Sequence, residues 1–147
     1  MRESCLLAVP DLEQKPPIID ADHLQRMTLG DRSLEREVLQ IFVRQTTLML
    51  QRIVGAKPAC AAAAAHTLKG SARGIGAWGV GQAAEQLEEA ASRGDARGLE
   101  AAIAELEAAC AEARAAIAAR LDDPMLYPMH DSADAQADAF GDALHEH

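Results

Sequence analysis

Aromatic side chains are nearly missing from this chain, which has two Phe, one Tyr and one Trp in 147 residues. Val, Ile and Thr are also sparse, so the residues that suit pleated, half-buried surfaces are too few for a sheet-based core. There are three cysteines, Cys5, Cys60 and Cys110, far apart and without a C-x-x-C pair, and they suggest neither a disulfide framework nor a zinc site. They read as reduced thiols, with Cys110 on an apolar stripe and Cys60 on a helix flank, both as small buried hydrophobes. Basic residues number 14 against 23 acidic ones, a formal net charge of −9 that repels a nucleic-acid backbone. No apolar run approaches the roughly 20 residues that span a bilayer, and Leu6-Leu7 is too short for the core of a secretory signal. A cytoplasmic protein without nucleic-acid or membrane partners is therefore expected. Nothing resembles a nucleotide-binding loop, so direct use of ATP is not expected either.

What the chain has in quantity is alanine, 32 of its residues, and with it a strong local preference for helix. Residues 1–17, with Pro10, Pro16 and Pro17 and no periodicity, read as a flexible lead-in. Residues 18–121 read as one helical domain. Residues 122–147 contain seven acidic and no basic residues and read as an acidic, disordered tail.

Within the domain, Asp20 can cap a short helix through Leu29, and Asp31 can cap a second over about 32–54. Leu34, Val38, Ile41, Phe42, Leu48, Met49 and Ile53 form the expected inner face of that second helix. Arg32, Glu35, Arg36 and Arg52 are left for solvent. Gln45 interrupts the stripe, either reaching toward His66 or staying a partly exposed polar residue. Gly55 ends this helix and Pro58 opens a third, through about Ala72. The four glycines between Gly74 and Gly81 interrupt helix there, and a fourth helix follows to about Arg93 with Val80, Ala83, Ala84, Leu87 and Ala90 inward. The fifth, about 96–121, carries Leu99, Ile103, Leu106, Cys110, Ala113, Ile117 and Leu121 in steps of three and four. Short connections make these helices antiparallel neighbours. The expected fold is all-α, an antiparallel four-helix bundle with a short additional N-terminal helix.

One histidine stands out by its surroundings. At 100° per residue, Leu68 lies 200° from His66, on the side of Ala61, Ala64 and Ile75, so a core on that side turns His66 to water. Ala59, Ala62, Lys69, Gly70 and Arg73 fall within about 60° of His66. An exposed neutral imidazole is a nucleophile near physiological pH, and a phosphoryl group on it would be labile enough to pass on. Lys69 and Arg73 would offset its charge by on the order of 1–3 kcal/mol per unit charge pair at about 5 Å. Ala62 and Gly70 leave room for a partner's carboxylate to approach in line, in a transfer governed mainly by positioning and charge. This face offers no carboxylate for Mg²⁺, so a metal-binding acidic pocket would belong to the partner. His130, His145 and His147 lie in the tail at a spacing that defines no metal site, and no metal ligands are assigned in this chain.

The run Ala65-His66-Thr67-Leu68-Lys69-Gly70-Ser71-Ala72, followed by Ile75-Gly76-Ala77, resembles the signature of histidine-containing phosphotransfer (HPt) domains of bacterial two-component phosphorelays. Phe42, Leu87-Glu88 and Gly94-Asp95 also resemble the family pattern, and the similarity covers about residues 18–121. It implies His66 as phospho-acceptor, Lys69 and Gly70 as shapers of the site, and Gly76 as the residue that lets the helical hairpin close, with Leu68 packed beneath. The partners it implies are receiver domains of response regulators or hybrid histidine kinases. Mg²⁺ would be bound by the receiver and no cofactor by this chain, which would be monomeric and without kinase activity. Gly55-Ala56-Lys57-Pro58 departs from the Gly-Asp turn of many members, and Gly79 and Gly81 loosen the start of the fourth helix. Two other classes are open to this sequence: a helical scaffold in which the histidine is incidental, and a histidine-based hydrolase or metal protein, which lacks a second catalytic group near His66 in sequence.

Overall fold

The computed structural model describes residues 17–128. Its elements are α1 (Ala21–Met27), α2 (Arg32–Ile53), α3 (Pro58–Ile75), α4 (Trp78–Arg93) and α5 (Ala96–Leu121). The caps explain the boundaries. Asp20, Asp31 and Asp95 each accept backbone N–H bonds from the first turn of α1, α2 and α5, and Pro58 starts α3, where its missing N–H costs nothing. Gly76 and Gly94 end α3 and α4 in the left-handed conformation.

Helices α2 to α5 form an antiparallel bundle in which α3 packs most extensively on α4, followed by α4 on α5 and α2 on α3. Ala61, Ala64, Ala65, Ala72, Ala83, Ala84 and Ala90 are all buried between larger Leu, Ile and Phe residues, so α3 and α4 meet through short side chains. Phe42, Leu68, Leu87, Leu106 and Ile117 fill the middle. Short α1 lies across the α3–α4 turn, where the Asp20 N–H donates to the Gly76 carbonyl at 2.9 Å and the Trp78 indole donates to the Asp20 carboxylate at 3.0 Å. A Cβ on Gly76 would stand 2.9 Å from both Cβ and O of Asp20, so glycine is needed there for space as well as for φ +84°. The His23 ring rests against Trp78 with centroids 4.8 Å apart.

Several expectations are corrected. Helix α3 continues to Ile75, and Gly74, Gly79 and Gly81 are helical, so a single glycine, Gly76, makes the turn. Helix α1 stops at Met27, and Leu29 and Gly30 take positive φ. Cys60 is exposed rather than buried, while Cys110 is buried and its thiol is pushed up to about 11 by desolvation. The inner face of α2 is Glu35, Leu39, Phe42, Thr46, Met49 and Ile53, whereas Leu34, Ile41 and Leu48, read as core, are exposed.

Glu35, assigned to solvent by its charge, is fully buried. Arg120 donates to it from Nε at 3.0 Å and from a terminal nitrogen at 2.7 Å, Arg32 lies at 3.3 Å, and the Tyr127 hydroxyl donates a further short bond. Tyr127 comes from the start of the segment read as disordered. Residues 122–128 turn back through bonds from Leu126 and Tyr127 N–H to the Asp123 carbonyl, while the remainder of that tail and residues 1–16 lie outside the described residues. Burial works against ionisation of Glu35, but its donors outweigh it and hold the carboxyl below the ordinary value. Desolvation, together with donation to Glu35, pushes Tyr127 up to about 12.

The lowered Glu35 value adds stability above its unfolded range and loses it as pH falls through the folded value. The raised Tyr127 value does so below about 10 and loses it toward 12. Urea unfolding followed over pH should therefore show a stability plateau between these limits. Glu35→Ala, which strands Arg120, should destabilise by about 3–5 kcal/mol at neutral pH.

Candidate functional site

The site sits mid-way along α3, on the outer surface of the α3–α4 pair. Leu68 is fully buried and fixes the rotation of α3, which leaves the His66 side chain 69 % exposed. On the facing edge of α4, Leu87 is buried in the same core and brings Glu88 up beside the imidazole. One carboxylate then serves two partners: Glu88 Oε2 lies 2.8 Å from His66 Nδ1 and Oε1 lies 2.7 Å from Lys69 Nζ. One turn further along, Arg73 donates to Glu85 at 3.1 Å. Antiparallel α3 and α4 are thus cross-linked by two ion pairs that flank the histidine on one side.

This geometry has an electronic consequence. Burial disfavours the Glu88 anion, yet the hydrogen bonds from Lys69 and His66 prevail and hold the carboxyl below its ordinary value. An ionised carboxylate can only accept, so a neutral His66 places its proton on Nδ1. The lone pair is then on Nε2, on the solvent side. Gly70, one turn along, has nothing within 4 Å of where a Cβ would stand, so the approach to the ring is open. A nucleophilic nitrogen, an orienting carboxylate that can stabilise positive charge on the ring, and an adjacent ammonium are the parts of a group-transfer site.

A model of the Hpt domain family matches residues 37–116, which include this whole constellation and more than half of the chain. The chain belongs to the Hpt domain family. Histidine phosphotransfer in a phosphorelay is accordingly its role. The fold agrees with that of an X-ray structure from rice described as a histidine-containing phosphotransfer protein, with a TM-score of 0.64 at 18% identity over 80% of this chain and 89% of that one. No curated protein matches the chain.

Of the residues read as the site of this Hpt domain, His66, Gly70 and Arg73 lie on the exposed surface, Lys69 and Ala62 are partly covered, and Leu68 and Gly76 are buried. Lys69 and Arg73 are not idle cations, because each already holds a carboxylate of α4. The expectation that this face carries no carboxylate is corrected by Glu88, which was read only as part of a family-like Leu87-Glu88 pair. A signal was present in the spacing: Glu85 and Glu88 one turn apart mirror Lys69 and Arg73 one turn apart, as facing edges of antiparallel helices require. Among the described residues no cluster of His, Cys, Asp and Glu could hold a metal ion, and no helix is long and apolar enough to cross a membrane.

The tautomer can be read directly. In ¹⁵N-resolved spectra above the titration of the ring, His66 should show a protonated Nδ1 and a bare Nε2. Glu88→Ala should shift it toward the mixture of tautomers found for a free imidazole, and an unchanged spectrum would remove Glu88 from the site.

Proposed function

We propose that this Hpt domain protein carries a phosphoryl group on Nε2 of His66 and exchanges it with aspartates of receiver domains. The observation that carries the assignment is the Glu88 contact to Nδ1, which directs the lone pair of an exposed imidazole outward. In the forward step Nε2 attacks the phosphorus of a partner's aspartyl phosphate, an N–P bond forms, the P–O bond to the aspartate breaks, and the aspartate leaves as a carboxylate. The ring keeps its Nδ1 proton and becomes positively charged, and Glu88 stabilises that charge. Lys69 can turn its ammonium from Glu88 toward the phosphoryl oxygens, and Gly70 and Ala62 keep the in-line path clear. The reverse step regenerates neutral His66 and a phosphoaspartate. Mg²⁺ and its acidic pocket are assigned to the receiver, since the carboxylate nearest His66 is occupied by the imidazole and by Lys69. A cytoplasmic location and a monomeric state belong to the same proposal.

Incubation with a ³²P-labelled phosphorylated receiver should move label to an acid-labile, base-stable site in this chain. His66→Gln should abolish labelling, and Lys69→Ala should lower the phosphohistidine level about tenfold, the equivalent of about 1.4 kcal/mol in charge stabilisation. Labelling that survives His66→Gln would refute His66 as the acceptor, and no labelling of the wild type by intact receivers would favour the scaffold reading.

A further inference from the structure

Helix α5 packs on α4 more extensively than on α2, and α2 rests mainly on α3. The bundle is thus least closed along the seam between α2 and α5. Toward the C-terminal end of α2 this seam is an open cleft lined by Thr47, Leu50, Gln51, Val54, Glu107 and Arg114. At the N-terminal end of α2 it is shut by buried Glu35, which accepts two hydrogen bonds from Arg120 of α5 and another from the Tyr127 hydroxyl. Between the two, Arg114 of α5 donates to Thr46 of α2 at 3.3 Å, a longer bond than either from Arg120.

Tyr127 belongs to neither helix. The turn after α5 carries it over Glu35, with the Asp123 carbonyl accepting from the N–H of Leu126 and Tyr127 and the Asp123 carboxylate accepting from the N–H of Met125. Arg32 also reaches Glu35, but it sits on α2 and moves with it, so it does not hold α2 to α5. Arg120 and Tyr127 do. A carboxylate taken fully out of water needs each of its donors, and hydrogen bonds to an ion are stronger than those between neutral groups. Cys110 stands one turn before Arg114 on α5, next to the seam, and is fully buried.

We propose that the bundle opens locally along the α2–α5 seam, from the cleft toward Glu35, and that Tyr127 is the clasp that sets how often it opens. Local opening follows the boundary with the fewest buried contacts, and here that boundary ends at a polar lock. Opening swings α2 on its contacts with α3 and uncovers Cys110. The ion pairs of Glu88 with His66 and Lys69, and of Glu85 with Arg73, lie across α3 and α4 and stay closed. The clasp thus separates two properties of the fold: α2 is free to move while the imidazole keeps its orientation.

The native thiols of the full chain read the opening. Cys60 is exposed and Cys110 buried, so N-ethylmaleimide modifies Cys60 directly and Cys110 only when the seam opens. Tyr127→Phe keeps the ring and removes the donor, and it should raise the Cys110 rate roughly tenfold at an unchanged Cys60 rate, followed by peptide mass spectrometry. Amide exchange should rise over the first turns of α2 and the last turns of α5 but not over α4, and the ¹⁵N spectrum of His66 should stay that of the wild type. In the wild type itself, urea should accelerate Cys110 modification less steeply than α4 exchange, because opening the seam exposes less surface than unfolding does. A chain ended after Pro128 should match the full chain. Wild-type Cys110 reactivity in Tyr127→Phe overturns the clasp, and faster opening in the chain ended after Pro128 overturns it by assigning the lock to later residues. Exchange that rises equally over α4, or equal urea dependences in the wild type, overturns the seam, since the bundle then yields as a whole.

Discussion

The close approach of α3 and α4 is the constraint on which the site depends. Alanines on both helices let the backbones come near, and Gly76 turns the chain where no Cβ would fit against Asp20. Only at that separation can one carboxylate on α4 reach both an imidazole and an ammonium on α3. Larger residues at Ala65 or Ala84 would push the helices apart and leave His66 an ordinary surface histidine whose proton could sit on either nitrogen. The composition that looked like mere helix bias is therefore what makes the pairing possible.

Much of the bundle could be read from residues alone, because its punctuation is local. Asp20, Asp31 and Asp95 cap helices, and Pro58 and Gly94 mark a start and a stop, through chemistry confined to a single turn. The glycines near the hairpin were harder. Gly74, Gly79 and Gly81 are as permissive as Gly76, and only the tertiary contact with Asp20 decides which of them breaks the helix. The rotation of α2 was misread for a related reason: Leu34, Ile41 and Leu48 compete with Leu39, Phe42 and Met49 as an inner face. The deciding residue is Glu35, whose burial depends on Arg120 and Tyr127, more than eighty positions away.

The site was legible to a similar depth. His66, Lys69, Gly70 and Arg73 share one helical surface, and the 3.6-residue period alone places them together. What each cation touches is set by a second helix, and periodicity within α3 is silent on that. Lys69 and Arg73, expected to offset phosphoryl charge, are tethered to α4 carboxylates, and the acid that tethers Lys69 also orients the imidazole.

The shared carboxylate of Glu88 makes the resting site almost self-neutralised: Lys69 is spent on Glu88, and Arg73 on Glu85. A phosphoryl group arriving on His66, as proposed, would bring about two negative charges to a place where Lys69 and Arg73 are already paired, and Lys69 could serve it only by abandoning Glu88. Such a site is a poor store and a good waypoint. On the proposed mechanism, a group carried there would gain little from the resting ion pairs, and its onward passage would depend on the partner that meets it.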